Sequence, residues 1–295
     1  MSKISPCLWF NGPAGDAAAF YTSLLPNSRI VQTTRATAGL PIPAGEILLV
    51  DFEIDGQSMQ ALNGGPQFHV NPSISFFLQL QDEAEVRRIA TALGEGGKFL
   101  MELGTYAWSG AYAWVQDRFG VSWQVMLVDK KPATTLVPCL MFAAAQHGRA
   151  VSAMEVWTSL FASSRVDTVE RYAEGEGPTG TVKHGRFTLE GQPFVAMDSH
   201  SAHDIGFSEG VSLSVLCDDQ AEVDRLWGAL CDGGAPSQCG WLQDRFGVSW
   251  QIVPRRMVEL QDKGDDDANA RMFQAMLPMT RLDIAALEQA YWAQH

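Results

Sequence analysis

Several residues in this sequence could do chemistry by type and spacing. His200 and His203 lie in Asp198-Ser-His-Ser-Ala-His-Asp204, and His-x-x-His between two aspartates could hold a divalent ion. The stretch has no helical period, so it reads as a loop. Loop spacing does not fix two imidazoles on one side, and a solvated loop explains it as well. Asp117-Arg118 and Asp244-Arg245 could be acid–cation pairs, but turn chemistry, with the aspartate bonding local backbone, explains them more simply. The five cysteines, Cys7, Cys139, Cys217, Cys231 and Cys239, form no CxxC pair and mostly sit in apolar runs. They read as reduced, buried thiols rather than nucleophiles or disulfide partners. Gly94-Glu-Gly-Gly97 follows a helical stretch and reads as a helix stop, so no glycine-rich cradle for a nucleotide-like cofactor is present.

These residues must be positioned by a repeated scaffold. Trp114-Val-Gln-Asp-Arg-Phe-Gly-Val-Ser-Trp-Gln-Val125 recurs as Trp241-Leu-Gln-Asp-Arg-Phe-Gly-Val-Ser-Trp-Gln-Ile252, differing only in two apolar exchanges. Each copy reads as strand, turn, strand, with Gly120 or Gly247 free to take positive φ. Pro6-Cys-Leu-Trp-Phe10 recurs as Pro138-Cys-Leu-Met-Phe142, and Asp82-Glu-Ala-Glu-Val86 as Asp219-Gln-Ala-Glu-Val223. The chain is thus a duplication, 1–129 and 134–256, joined at Lys130-Lys-Pro-Ala133 and followed by a tail, 257–295. The second copy lacks ten residues between Gly234 and Trp241, so its counterpart of the strand Lys98–Leu103 is short or absent.

Within each copy the order is βαβββ twice. Ile4 to Phe10 is a strand, Ala14 to Leu25 a helix, Ser28 to Ala36 a strand, and Glu46–Ile54 and Gln57–Leu62 a hairpin across Asp55-Gly56. Ile74–Leu80, a helix from Asp82 to Leu93, Lys98–Leu103 and the Trp114–Val125 hairpin repeat it, with Asp82 as N-cap. The tail reads as helices Ala268–Leu277 and Leu282–Trp292, with an apolar stripe that docks on the domains or on a second subunit.

Composition sets limits. The chain has 295 residues, 46% hydrophobic and 19% charged, so a packed globular protein is expected. A net charge of -13 disfavours nucleic acid and anionic membrane. No apolar stretch is long enough to span a bilayer and none at the start resembles a secretion signal, which points to a cytoplasmic protein.

Four βαβββ units, with Lys3-Ile-Ser-Pro-Cys-Leu-Trp-Phe-Asn-Gly12, Phe20-Tyr21, Ala61-Leu-Asn-Gly-Gly-Pro66, the second hairpin through Pro254, and Leu282-Asp-Ile-Ala-Ala-Leu-Glu288, resemble the vicinal-oxygen-chelate superfamily. The nearest branch is the PhnB-like one, also called 3-demethylubiquinone-9 3-methyltransferase-like. The resemblance implies an α+β fold of two tandem glyoxalase-like domains with a C-terminal helical tail, a dimer of single-domain relatives fused into one chain. It implies a cavity in each eight-stranded half, with metal ligands in glyoxalase-like members on the first, fourth, fifth and eighth strands. Those positions fall on Pro6 and Pro138, near Gln60 or Asn63 and near Val195 or Asp198, near Ser75 and Ser212, and on Gln124 and Gln251. Trp123 and Trp250 then face the helices.

Two prolines and two glutamines make a poor cation site. The resemblance therefore favours a protein that binds a small hydrophobic or aromatic molecule without cofactor, with Gln60, Ser75, Gln124, Ser212 and Gln251 in the cavities. The alternative is a lyase, isomerase or dioxygenase using a divalent metal, for which Asp198, His200 and His203 are the first residues to examine. A third reading has the C-terminal helices bind a partner. The chain is then a monomer as a fused pseudo-dimer, or a homodimer. No cofactor motif supports methyl transfer.

Overall fold

The structure, a computed structural model, describes residues 3–130, 132, 134–200 and 204–293. Four units follow one another. The first holds β1 (Ile4–Phe10), α1 (Ala14–Leu24), β2 (Ser28–Arg35), β3 (Ile47–Ile54) and β4 (Gln57–Asn63). The second holds β5 (Ile74–Leu80), α2 (Glu83–Gly94), β6 (Lys98–Tyr106), β7 (Ser109–Gln116) and β8 (Ser122–Leu127). The third holds β9 (Leu136–Phe142), α3 (Ala150–Leu160), β10 (Arg165–Arg171), β11 (Val182–Leu189) and β12 (Gln192–Asp198). The fourth holds β13 (Val211–Cys217), α4 (Gln220–Cys231), β14 (Ala235–Pro236), β15 (Trp241–Gln243) and β16 (Ser249–Pro254). The tail is α5 (Arg255–Gln261), α6 (Asp266–Met276) and α7 (Ile284–Trp292).

The strands form two eight-stranded sheets. Sheet 1 runs β14-β15-β16-β13-β1-β4-β3-β2 and sheet 2 runs β10-β11-β12-β9-β5-β8-β7-β6. Each sheet therefore takes one unit from each sequence copy, joined by the antiparallel pairs β1–β13 and β5–β9. Neither 1–129 nor 134–256 closes a sheet of its own. Within each copy the two units instead hold together through their helix faces. Tyr21 of α1 donates to Asp117 in the β7–β8 turn at 2.8 Å, and the indole of Trp157 in α3 donates to Asp244 in the β15–β16 turn at 2.8 Å. This is the arrangement expected of a swapped dimer fused into one chain.

Strand alternation decides what faces where. Leu8, Phe52, Phe76, Trp123, Trp157 and Trp250 are fully buried in one continuous core under the helices. Each such side chain contributes roughly 2–3 kcal/mol of transfer free energy. Trp123 and Trp250 face the helices as their place in the repeat requires. The alternate residues line the opposite, concave faces.

Those concave faces are closed differently. Sheet 2 has the long β6–β7 hairpin. In sheet 1 its counterpart shrinks to β14 and β15, as the ten-residue gap requires. The tail takes its place. Backbone N–H groups of Cys239 and Gly240 donate to Met279 and Thr280 at 2.7 and 2.8 Å. Gly240 sits at φ +82°, and a Cβ there would lie 2.8 Å from the Ile252 carbonyl of β16 and 3.1 Å from Leu282 of the tail, so this close approach requires glycine. Before that, α5, a helix the sequence pattern does not signal, crosses from β16 to the far edge strand. Gln261 donates to Thr34 and Gln32 donates to Asp262, both at 2.7 Å. The tail's own core, including Leu260, Met272, Phe273 and Leu287, packs against Leu40 of the β2–β3 loop. Asp265 and Asp283 cap α6 and α7 through the N–H groups of Ala268 and Ala286.

Candidate functional site

Strand register brings together one line of polar residues on the concave face of sheet 1. Gln32 pairs with Asp51, Asp51 with Gln60, Gln60 with Cys7, Cys7 with Ser212, Ser212 with Ser249, and Ser249 with Gln243. Residues paired this way point to the same side. The line thus crosses seven strands. A second line beside it holds Ser5, Ser214, Gln251 and Trp241.

The same lines in sheet 2 read differently. The first is Thr168, Arg186, Val195, Cys139, Ser75, Ser122 and Gln116. The second is Val137, Phe77, Gln124 and Trp114. Sheet 2 thus has Arg186 and Val195 where sheet 1 has Asp51 and Gln60. It has Val137 and Phe77 where sheet 1 has Ser5 and Ser214. A phenyl ring and an isopropyl group occupy sheet 2 where sheet 1 carries two hydroxyls.

The register moves two expected positions. Pro6 and Pro138 pair with Leu213 and Phe76, residues of the helix-facing core, so neither proline faces a cavity. The inward positions one residue on are Cys7 and Cys139. On the fourth strand the inward residues are Gln60 and Val195, not Asn63 or Asp198. The five residues expected in cavities also re-sort: Gln60, Ser212 and Gln251 belong to sheet 1, and Ser75 and Gln124 to sheet 2.

In sheet 2 the polar groups are spent on each other. Gln124 accepts from the Tyr112 hydroxyl at 2.6 Å and donates to Ser75 at 2.8 Å. The Trp114 indole donates to Ser122 at 2.7 Å. Phe77, Tyr112, Val137, Cys139 and Val195 are buried together, with Met101, Met126 and Met197 against them. In sheet 1 satisfaction is incomplete. Gln60 donates to Asp51 at 2.8 Å and Gln251 to Ser212 at 2.9 Å. The hydroxyl of Ser249, the counterpart of Ser122, is 1% exposed and has no partner. Its potential donor, Trp241, instead meets Trp9 edge to face at 5.5 Å across the concave face.

Electrostatics follow burial. The Cys7 and Cys139 thiols are pushed up to about 12 by desolvation, and for Cys7 the nearby Asp51 adds to this while Gln251 and Ser212 oppose it. Both remain thiols at neutral pH and are not activated as nucleophiles. Asp51 is raised above the usual carboxylate range, first by burial and further by Asp262, while the Gln60 hydrogen bond and then the amino-terminal charge oppose the shift.

The other candidate residues have structural work. Asp117 accepts from the N–H groups of Phe119 and Val121, the Tyr21 hydroxyl and the Trp123 indole. Asp244 accepts from Phe246, Val248, Trp157 and Trp250 in the same way. The adjacent arginines point elsewhere: Arg118 lies 4.1 Å over the Phe20 ring, and Arg245 donates to the Asp232 carbonyl. Asp198 is spent on backbone, accepting from Gly148 at 2.7 Å and Val182 at 2.8 Å. Its counterpart Asn63 accepts from Gly12 and Ala14 and donates to the Ile47 carbonyl, so acid or amide matches the backbone polarity each loop presents. His200 is exposed, beside the Tyr172 ring. His203 lies outside the described residues. Among the described residues no three His, Cys, Asp or Glu side chains are grouped to hold a metal ion.

Sequence reasoning misses Asp51, Ser249 and Asp262. Asp51 left a trace, a lone acid inside Leu49-Val-Asp-Phe52. Ser249 repeats Ser122 and differs only in what its neighbour does.

Two curled eight-stranded sheets, each built from two βαβββ units, define a glyoxalase-like fold. The chain belongs to the family described as 3-demethylubiquinone-9 3-methyltransferase, whose model matches residues 2–126 and again 134–253. Protein YjdN of Escherichia coli strain K12 is 25% identical over 143 residues, covering 44% of this chain and 97% of that protein. A PhnB protein structure from Bacillus cereus is 32% identical, covering 43% of this chain and 100% of its own, with a TM-score of 0.41. Glyoxalase I from Zea mays is 11% identical but covers 84% of this chain and 92% of its own, with a TM-score of 0.55, a likeness of fold. No helix among the described residues is long and apolar enough to cross a membrane.

Proposed function

We propose that this protein binds a small organic molecule on the concave face of sheet 1, and that sheet 2 is the structural partner. The observation carrying this is the unequal filling of two homologous faces. Sheet 2 places Phe77 and Val137 beside a Gln124 whose hydrogen bonds are made. Sheet 1 places Ser5 and Ser214 beside Gln251, with the Ser249 hydroxyl buried and unpartnered. A buried hydroxyl without a partner costs roughly 1–3 kcal/mol, which a ligand group reaching it would recover. Trp9 and Trp241 offer an apolar surface for the ligand body.

The reading includes no metal. The positions that correspond to the ligands of glyoxalase-like members are Cys7, Gln60, Ser212 and Gln251. They offer a thiol, two carboxamides and a hydroxyl, all neutral. A divalent ion is held by several carboxylate, imidazole or thiolate donors, and of these four residues only Cys7 could become one on losing its proton, so this set makes a poor site for one. The sequence carries no glycine-rich strand-to-helix turn of the kind that cradles a nucleotide-like methyl donor, so no methyl transfer is assigned.

The test is a thermal-shift screen of a small-molecule library on the wild type and on Ser214→Phe, which copies the sheet 2 filling into sheet 1. Compounds that raise the wild-type melting temperature should lose their effect in the variant. Compounds that act equally on both would refute the placement. A stoichiometric divalent metal in protein purified without chelator would refute the metal-free part.

A further inference from the structure

The two concave faces differ most in charge, at one position. Asp51 in sheet 1 is the counterpart of Arg186 in sheet 2. Asp51 is 9% exposed, and its one described hydrogen bond is from Gln60 to Oδ1. The neighbouring Arg29 is engaged by Glu53 at 2.8 Å, and among the described residues no lysine or arginine pairs with Asp51. A buried carboxylate with no lysine or arginine beside it is unfavourable, and burial of acids elsewhere in this chain is offset by dense donation, four hydrogen bonds each at Asp117 and Asp244. Asp51 has no such donor set. A second acid, Asp262, is brought to the same edge by α5 and held there by Gln32, the residue paired with Asp51. Separately, the Ser249 hydroxyl in the same line is buried and unpartnered. The indoles of Trp9 and Trp241 meet across that face and give an apolar body an aromatic surface to lie against.

We propose that the molecule bound by sheet 1 is a protonated amine with a small apolar body, its ammonium received by Asp51 and its body lodged against Trp9 and Trp241. This rests on the ligand-binding reading of sheet 1 and adds the ligand's charge. Gln60 positions the carboxylate from one side, Asp262 deepens the negative potential, and Ser249 offers a hydroxyl to a second polar group. The Arg186 counterpart would repel the same ligand from sheet 2.

The test is calorimetric titration of the full chain with three probes of one shape: benzylamine, benzyl alcohol and benzoate. The amine should bind at least about tenfold tighter than the alcohol, the worth of one charge-assisted hydrogen bond, and benzoate should bind least. Asp51→Asn should bring amine and alcohol to equal affinity. The wild-type ratio needs no variant, so a misfolded variant would not spoil the test. Alcohol or benzoate binding as tightly as the amine, with that binding lost in Ser214→Phe, would overturn the amine assignment and leave the sheet 1 site standing. Binding by none of the three would overturn the amine assignment, and the library screen on Ser214→Phe would then decide the site alone.

Discussion

The two sheets began as copies and now differ in what fills them. Sheet 2 is closed by its own long hairpin, and its concave face is packed with Phe77, Val137, Tyr112 and three methionines. Sheet 1 lost that hairpin, is closed by a helical strap from the tail, and keeps serines where sheet 2 has the phenyl and isopropyl groups. The scaffold residues barely changed: the turn aspartates, the helix-facing tryptophans and the inward Cys–Ser–Ser–Gln are common to both. Duplication lets one sheet carry stability while the other keeps polar groups that lower it.

The comparison can be broken most strongly by exchanging the fillings. Phe77→Ser should cost about 3–5 kcal/mol in chemical denaturation, from lost transfer energy plus the cavity left behind. Ser214→Phe, made on a face lined by Ser5 and Gln251 rather than by packed apolar side chains, should cost less; an equal loss would mean that sheet 1 is as tightly packed as sheet 2.

The turn aspartates sharpen the comparison at the next level. In Asp244→Asn the new amide N–H groups face the indoles of Trp157 and Trp250, neither of which can accept, so about 3 kcal/mol should be lost. In Asp117→Asn the Tyr21 hydroxyl can turn to accept, which leaves only Trp123 opposed, and about 2 kcal/mol should be lost. Equal denaturation midpoints for the two variants would contradict this account. Below these, Tyr112→Phe removes the hydrogen bond to Gln124 and should cost about 1 kcal/mol, read in the same assay.

The smallest effect is a pH dependence. Burial raises Asp51 in the folded state, with Asp262 adding and Gln60 and the amino-terminal charge opposing. A raised acid favours the folded state while it is protonated. Its contribution is therefore fullest below the unfolded value of about 4 and is lost as pH rises through the folded value. The stability of Asp51→Asn relative to wild type should therefore increase with pH across that window. A relative stability that falls as pH rises would reverse the assignment.

Much of this architecture is legible in the sequence. The repeated Asp-Arg-Phe-Gly turn locates both hairpins, Asp82 marks its helix, and the ten missing residues foretell the stunted β14. What the sequence does not reveal is which units share a sheet. That depends on the non-local pairs β1–β13 and β5–β9, which leave no local signal. Register is the other gap: a shift of one residue turns Pro6 away and brings Cys7 in. The contrast of Ser214 with Phe77 is visible in the aligned repeats, but it gains meaning only when both are known to face inward beside Gln251 and Gln124. The strap α5 follows a strand without a cap signal, and what fixes it is contact with Gln32 and Thr34, more than 200 residues away in the chain.

The most direct measurement uses the indole N–H signals of the tryptophans in a nitrogen-15 NMR titration with a compound that stabilises the wild type. Trp9 and Trp241 report on sheet 1, and Trp114, bonded to Ser122, reports on sheet 2. The account predicts that the Trp9 and Trp241 signals move with the ligand while Trp114 stays fixed. Movement of Trp114 with Trp9 and Trp241 unmoved would contradict it.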